Sequence, residues 1–263
     1  MSRINQVDYK ILGTFADEKI QEILDLGIEE FGNVLIKNFP IETELKQTVQ
    51  RFCDFCVYFG EPVPQGIDGS VIGFLGPGSV EWRAEQPFHV DGSRYLGLLC
   101  VNKAWRGGYT RIIPSLSILS ELENRWPKEL RELENEWPFW RKGRPGPPVF
   151  FRKIIDRSSS DFRLFYLPNT LRAVEANTDI RFTSNQNRAI QLLDDIIENT
   201  EEIYELMLDR GDLLVIDNYR FLHARSAYED DPTGGAERLL LRSWMEKKPA
   251  HLEFSSDPSA NQL

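Results

Sequence analysis

Residues 211–225 read GDLLVIDNYRFLHAR, and this pattern decides how the second half of the chain folds. The apolar run LLVI predicts a β-strand, the DN pair at 217–218 predicts a turn, and the apolar residues around His223 predict a second strand. His223 would therefore be held in a rigid β framework. His251, in contrast, lies in a polar C-terminal segment with no strand to hold it.

A second framework histidine occurs in QPFHVDGSRY, residues 86–95. Alternate side chains of a strand share a face, so His89 and Asp91 are expected to point the same way. His223 is the candidate for a third ligand beside them. Two histidines and one carboxylate on a β scaffold match the set that holds Fe(II) in non-haem oxygenases and leaves coordination positions open. Zinc is the main competitor for such a set.

The last predicted strand, ERLLLRSW at 237–244, carries two arginines on one face. Its other face, with Leu239, Leu241 and Ser243, suits a core. An inward arginine is costly unless it pairs with an anion, and arginine can bind a carboxylate through two parallel hydrogen bonds. We therefore expect Arg238 and Arg242 to face a cavity that binds one or two anionic groups. Ordinary surface charge is the alternative.

Composition restricts the partners. The 263 residues are 41% hydrophobic and 27% charged, which is typical of a soluble globular protein with a sizeable core. The net charge of -10 disfavours nucleic acid, and no segment resembles a membrane span or a secretory signal. The 3 cysteines are an odd number, which with the missing signal indicates the cytoplasm. Cys53 and Cys56 form a CxxC inside a predicted helix, where we expect core packing instead of zinc binding.

The order of predicted elements favours an α+β fold, with a β-rich centre and helices outside it. We expect a single domain over residues 1–263, with a polar tail from about 248 to 263. Helical spacing covers residues 15–32, 42–58, 115–137 and 184–200. Residues 149–155 and 162–168 are predicted to be a pair of strands.

Four motifs in order resemble one known family. HVD, GGYT, GDLLVIDNYRFLHAR and ERLLLRSW are similar to motifs of the TauD-type branch of the Fe(II)/2-oxoglutarate-dependent dioxygenases, which includes taurine dioxygenase and clavaminate-synthase-like amino-acid hydroxylases. The resemblance spans residues 86–246. It implies a double-stranded β-helix, or jelly roll, decorated by helices.

The resemblance also implies roles for single residues. His89, Asp91 and His223 would bind Fe(II). Arg238 would bind the distal carboxylate of 2-oxoglutarate, and Thr110 would donate its hydroxyl to the same carboxylate.

Two further residues are candidates for contact with the substrate. Arg242, four residues after Arg238, would hold an anionic group of the substrate. The chain between His223 and Arg238 is slightly longer than usual in the family, so the two arginines could exchange roles. Trp82 lies in a glycine-rich loop that could close over the substrate.

The expected reaction uses O2 and releases succinate and CO2, and it most simply hydroxylates an unactivated C–H bond. A small anionic substrate such as an amino acid or an amino-acid-derived metabolite is expected. Related halogenases replace the carboxylate of the iron site, so Asp91 argues against halogenation. Desaturation or cyclisation with the same cofactors, a zinc hydrolase and a non-catalytic jelly-roll protein that binds anions are the alternatives. Oligomeric state is not predicted.

Overall fold

Two β-sheets face each other, and helices cover the outer side of each. The computed structural model describes residues 4–14, 16–65, 68–76, 83–141, 146–158 and 162–247. Within these ranges, the α-helices are α1 (Tyr9–Leu12), α2 (Asp17–Leu26), α3 (Leu45–Cys56), α4 (Ser115–Arg125), α5 (Pro127–Leu133), α6 (Pro168–Asn177) and α7 (Ser184–Asn199), and a π-helical turn at Gly27–Phe31 continues α2.

The larger sheet has seven strands among the described residues. All its pairs are antiparallel except the first, which is parallel. In spatial order the strands are β1 (Gln6–Asp8), β2 (Asn33–Lys37), β14 (Leu213–Asp217), β6 (Tyr95–Asn102), β17 (Leu239–Glu246) and β3 (Glu61–Pro62), and β4 (Ile72–Leu75) also pairs with β17.

The smaller sheet has four antiparallel strands within the described ranges. They lie in the order β13 (Tyr204–Leu206), β8 (Thr110–Pro114), β15 (Phe221–Arg225) and β5 (Gln86–His89). Three separate two-stranded ladders join β9 (Glu136–Trp140) with β10 (Val149–Lys153), β11 (Ile155–Asp156) with β12 (Arg163–Leu164), and β7 (Arg106–Gly107) with β16 (Tyr228–Glu229).

Alternation along the strands divides the apolar residues between the interior and the outer layers. Leu96, Leu98 and Cys100 of β6 point between the two sheets, where they join Ile112 and Phe221 of the smaller sheet. The alternate positions of β6 point outward and pack in one cluster with residues of α2 and α3. A third cluster lies on the outer side of the smaller sheet under α4, α5, α6 and α7. The predicted α+β architecture with a jelly-roll core is confirmed.

Several local predictions change. The predicted helix over 115–137 ends at Leu133, because Trp137 and Phe139 lie two apart in an extended strand, β9, and both are fully buried. This strand, β9, is the partner of β10, so the predicted pairing of 149–155 with 162–168 is limited to β11 and β12. Helix α6, which begins at a proline in its first turn, was not predicted.

The cysteines form no disulfide among themselves. Cys56 is fully buried in α3 and Cys53 is half-buried, so the CxxC packs against the core as expected. The polar tail predicted for 248–263, including His251, lies outside the described residues. The prediction of one domain over the whole chain stays a prediction.

Candidate active site

Strand β15 presents His223 to the space between the sheets. Leu222 points away into the cluster under the helices, while His223 and Arg225 point inward. The tight turn before β15 is closed by Asp217, whose backbone carbonyl accepts from the Arg220 N–H at 3.0 Å. Antiparallel pairing sets His223 directly opposite His89 of β5, and the two ring centroids are 4.3 Å apart.

Asp91 follows the end of β5 and completes the group. Its Oδ2 atom lies 3.8 Å from Nε2 of His223, and one ligand atom from each of His89, Asp91 and His223 lies within 4.8 Å of the others. Val90, between the two, is buried on the opposite side and donates its N–H to Tyr166. The expected common orientation of His89 and Asp91 is therefore present.

The donor atoms of this group suit a divalent metal ion. Nδ1 of His89 lies 2.8 Å from the carbonyl oxygen of Pro87, to which a protonated Nδ1 can donate. A proton on Nδ1 leaves the lone pair of Nε2 free to bind a metal ion. Burial, together with the neighbouring His89, lowers the pKa of His223 to about 3, so this imidazole is neutral at pH 7. Burial opposes the charge of Asp91, but Arg242 and the two imidazoles outweigh it and keep the pKa of this carboxyl below its usual range.

A cavity of about 110 Å³ lies beside the histidines. The part of the cavity that is lined by Thr110, Arg225 and Arg238 is called the cationic wall below. Thr110 and Arg238 both line it, and both are buried. The Arg238 guanidinium has no carboxylate within 4.0 Å among the described residues, and its backbone N–H donates to Asp230 at 2.9 Å. Burial and the charge of Arg225 lower the pKa of Arg238 to about 10. An anion bound at this wall would offset both the burial of the Arg238 charge and its repulsion by Arg225.

The glycine pair of GGYT makes room for this wall. Gly108 has φ of 76°, and a Cβ there would lie 3.2 Å from Nε of Arg238 and 3.3 Å from Cβ of Tyr228. Gly107 has φ of 69°, and its Cβ would lie 2.2 Å from the carbonyl oxygen of Ala227. Both positions have a positive φ that strains other residues, and a side chain at Gly107 would in addition collide with the backbone, which explains why the motif needs both glycines.

Arg242 occupies a different part of the cavity, beside the group of three. Its Nε donates to Oε1 of Gln65 at 2.7 Å, and its Nη1 lies 3.5 Å from Oδ2 of Asp91. The guanidinium also lies over the ring of Trp244, 4.7 Å from its centroid. Arg238, directly before β17, and Arg242, within it, thus both line the cavity but have different neighbours.

Three residues near the site were not assigned a role from the sequence. Gln65 comes from a loop rich in glycine and proline, where no period indicates which side chain turns inward. Tyr228 packs under Arg238. Arg225 contacts the same ring, and its H-x-R spacing from His223 was the sequence signal that placed it on the same face as that histidine. Trp82, the candidate for closing over the substrate, lies outside the described residues, and its role stays a prediction.

A family model agrees with this arrangement. The model described as "Taurine catabolism dioxygenase TauD, TfdA family" matches residues 2–244. The chain belongs to this family of dioxygenases. The predicted family is confirmed.

One curated protein and several solved structures are similar to the chain at low identity. FR-33289 synthase of Streptomyces rubellomurinus (strain ATCC 31215) is 25% identical over 165 residues, which are 60% of this chain and 49% of that protein. The chain thus matches about half the length of this curated relative.

Two solved oxygenases share the fold. Asparagine oxygenase, solved with Fe(II), 2S,3S-3-hydroxyasparagine and succinate, has a TM-score of 0.69 at 14% identity and covers 90% of this chain and 82% of its own. The non-heme iron oxygenase OrfP, solved with Fe, succinate and (3S)-hydroxy-L-Arg, has a TM-score of 0.64 at 15% identity, with 90% and 83% covered. OrfP has also been solved with Fe and alpha-ketoglutaric acid, which is 2-oxoglutarate.

In the part of the chain that the structure describes, no helix is both long enough and apolar enough for a membrane crossing. The predicted cytoplasmic location and the absence of a nucleic-acid partner stay predictions.

Proposed function

We propose that this protein is an Fe(II)- and 2-oxoglutarate-dependent dioxygenase that hydroxylates a C–H bond of a small anionic substrate, with release of succinate and CO2. One observation carries the proposal. His89, Asp91 and His223 meet at one end of a cavity whose other end is lined by Thr110 and Arg238. A metal-binding set and an anion-binding wall in one cavity are what a keto diacid on iron requires.

In this proposal His89, Asp91 and His223 hold the metal. Two imidazoles and one carboxylate are one of the sets that hold Fe(II) with positions left open. When bound, Fe(II) supplies the activation of dioxygen, coupled to the oxidative decarboxylation of 2-oxoglutarate. Trp244, which interacts with the Asp91 carboxylate, helps to fix the orientation of that ligand.

Thr110 and Arg238 bind the distal carboxylate of the cosubstrate in this proposal. Their positions at the cationic wall support it, since an arginine with no carboxylate partner needs an anion when it is buried. Leu98 and Leu240 line the cavity between the wall and the metal-binding group. Their apolar surface suits the methylene groups of the cosubstrate and excludes water.

Arg242 binds an anionic group of the substrate. Gln65 supports this role because it occupies Nε of Arg242 and thereby orients the Nη nitrogens toward the cavity beside Asp91. Both N–H bonds of the Gln65 amide are used as well, by the carbonyls of Val71 and Arg242 at 2.8 Å each, so this orientation is rigid. An amino acid or a derivative that keeps its carboxylate fits such a group.

The solved neighbours support the same class of substrate. Asparagine oxygenase and OrfP were each solved with a hydroxylated amino acid and succinate. Their names concern those proteins, and their likeness to this chain is one of fold. We extend an amino-acid-like substrate to this chain because Arg242 lies where it would receive a carboxylate.

The test is a screen of small carboxylic and amino acids for stimulated succinate formation from 2-oxoglutarate with Fe(II) and O2. Mass spectrometry of the product then distinguishes a gain of one oxygen atom, as expected, from the loss of two hydrogens that desaturation or ring formation would give. A zinc hydrolase would instead act with Zn(II) and without O2 or 2-oxoglutarate. A non-catalytic binder would take up anions and retain them after His89→Ala.

A further inference from the structure

Two arginines lie on one tyrosine at the cationic wall. The guanidinium carbon of Arg225 is 4.8 Å from the ring centroid of Tyr228, and that of Arg238 is 5.0 Å from the same centroid. All three side chains are buried. A ring contacted by two cations fixes their positions relative to each other, since both are attracted to its electron-rich surface.

Neither arginine is neutralised within the described part of the chain. No ion pair joins Arg225 or Arg238 to a carboxylate there, although most other arginines near the site have one, such as Arg83 with Asp230 at 2.9 Å. The wall therefore carries two buried positive charges that repel each other. A ligand with one carboxylate at this end would reduce that repulsion, and an uncharged end group would not.

Strand register brings Arg225 close to the proposed cosubstrate contacts. Arg225 of β15 is directly opposite Thr110 of β8, and directly opposed residues extend from the same face of a sheet. The cavity is accordingly lined by Thr110, Arg225 and Arg238 together.

Arg225 is also tied to the chain that enters the smaller sheet. Its Nη2 donates to the carbonyl of Ala84 at 2.5 Å, and the N–H of Tyr228 donates to the carbonyl of Arg83 at 3.0 Å. Arg83 in turn pairs with Asp230, which accepts from the backbone N–H of Arg238. Through Ala84, Arg83 and Asp230, these hydrogen bonds and the ion pair connect Arg225, Tyr228 and Arg238, and they restrain the relative positions of the three side chains.

We propose that Arg225 is a positioning residue for the cosubstrate: through Tyr228 it holds Arg238 toward Thr110, and its charge makes the wall selective for a ligand with a distal carboxylate. The inference rests on the proposed function and deepens it. It predicts that removing Arg225 weakens the binding of 2-oxoglutarate but leaves the binding of an analogue without the distal carboxylate unchanged.

The experiment measures the dissociation constants of 2-oxoglutarate and 2-oxopentanoate for the full chain loaded with Mn(II), by calorimetry. The two acids share the keto acid end and the five-carbon chain, so the ratio of the 2-oxopentanoate dissociation constant to the 2-oxoglutarate dissociation constant reports the distal carboxylate alone. Arg225→Gln is expected to lower this ratio roughly tenfold while 2-oxopentanoate binds within about twofold of wild type. Arg225→Lys, which keeps the charge without the planar fork, is expected to give an intermediate ratio.

Arg111→Gln is the matched control. Arg111 is next to Thr110 but points to the other side of β8, where it pairs with Glu85 at 2.9 Å and Glu205 at 2.8 Å. It therefore anchors the same incoming segment without lining the cavity, and its loss should leave the ratio unchanged. If Arg111→Gln lowers the ratio as much as Arg225→Gln does, anchoring of the segment explains the effect and the inference is overturned.

Tyr228→Leu provides a second variant in case Arg225→Gln does not fold. It removes the ring but leaves both arginines, and a fall in the ratio is expected again. If the variants bind both acids more weakly by the same factor, the role of Arg225 is merely structural and the inference is overturned. It is also overturned if the variants bind both acids as wild type does. If wild type binds neither acid, the proposed function fails and this inference fails with it, so the two failures are distinguishable.

Discussion

His223 and His89 lie directly opposite each other on antiparallel strands, with Nε2 of His223 3.8 Å from the Asp91 carboxylate. This relationship brings together side chains from distant parts of the sequence. It depends on a register shift between β5 and β15, where Arg225 pairs with Gln86 while His223 pairs with His89. The extra residue on β5 lies at an edge strand, where a proline is tolerated and a bulge re-aims the side chains that follow.

Asp91→Ala is expected to lower Mn(II) affinity and substrate-stimulated succinate formation by at least about 100-fold, because the anionic ligand of the metal is lost. Calorimetry and a coupled succinate assay measure the two effects. Asp195→Ala, an exposed aspartate on α7, is the control and should match wild type. Turnover that survives Asp91→Ala would show that the metal is bound elsewhere.

Arg238→Gln and Arg242→Gln are expected to weaken the binding of different reactants. The first should raise the KM for 2-oxoglutarate roughly 30-fold and the second the KM for the organic substrate by a similar factor, because each leaves one carboxylate unpaired. Steady-state kinetics with both reactants varied gives both constants. The reverse pattern would mean that the two arginines have exchanged roles.

Stability of the metal-free protein should fall as the pH is lowered. The pKa of His223 is about 3 when folded, against 6.5 as its ordinary value, so the unfolded chain binds more protons between these limits. The stabilisation is thus complete above pH 6.5 and is lost as the pH falls through this window. At pH 5 it should be about 2 kcal/mol smaller than at pH 7.

Urea unfolding at pH 7 and pH 5 measures this loss, and His223→Gln is the comparison. The variant lacks the titrating ring, so its free energy of unfolding should change less between the two pH values than that of wild type. An equal change in both proteins would assign the effect to other groups.

Gly107→Ala should destabilise the protein by about 3 kcal/mol. The positive φ strains an alanine at this position, and its Cβ would also collide with the carbonyl oxygen of Ala227. Gly234→Ala is a matched control. Gly234 has φ of 83° but no atom within 4 Å of the added Cβ, so its cost should be about 1 kcal/mol. Urea unfolding of both variants tests the difference, and equal costs would mean that strain alone explains the glycine motif.

The positions of the main site residues could be predicted because they follow strand alternation. His89 with Asp91, and Arg238 with Arg242, each recur at even spacing, which places each pair on one face in the structure. The order of motifs along the chain then indicated which strands meet.

Other parts of the site and fold had no such period. Gln65 is placed by three side-chain hydrogen bonds to distant backbone and to Arg242, which a local pattern does not contain. The predicted helix over 115–137 includes the first two residues of β9, Glu136 and Trp137, because they follow closely after two amphipathic turns. Its pairing with β10 is a long-range choice that burial of Trp137 and Phe139 decides.

His223 and Arg225 project from the same face of one strand, and about 6.8 Å of backbone separates them. In the proposed function, a keto diacid on the metal would extend along β15 from the end beside His223 to the wall where Arg225 lies with Thr110 and Arg238. The spacing of this strand would then favour the chain length of 2-oxoglutarate over that of oxaloacetate, which is one methylene shorter. Such a preference would belong to β15, and changes in the loops around the cavity would alter the substrate without altering it.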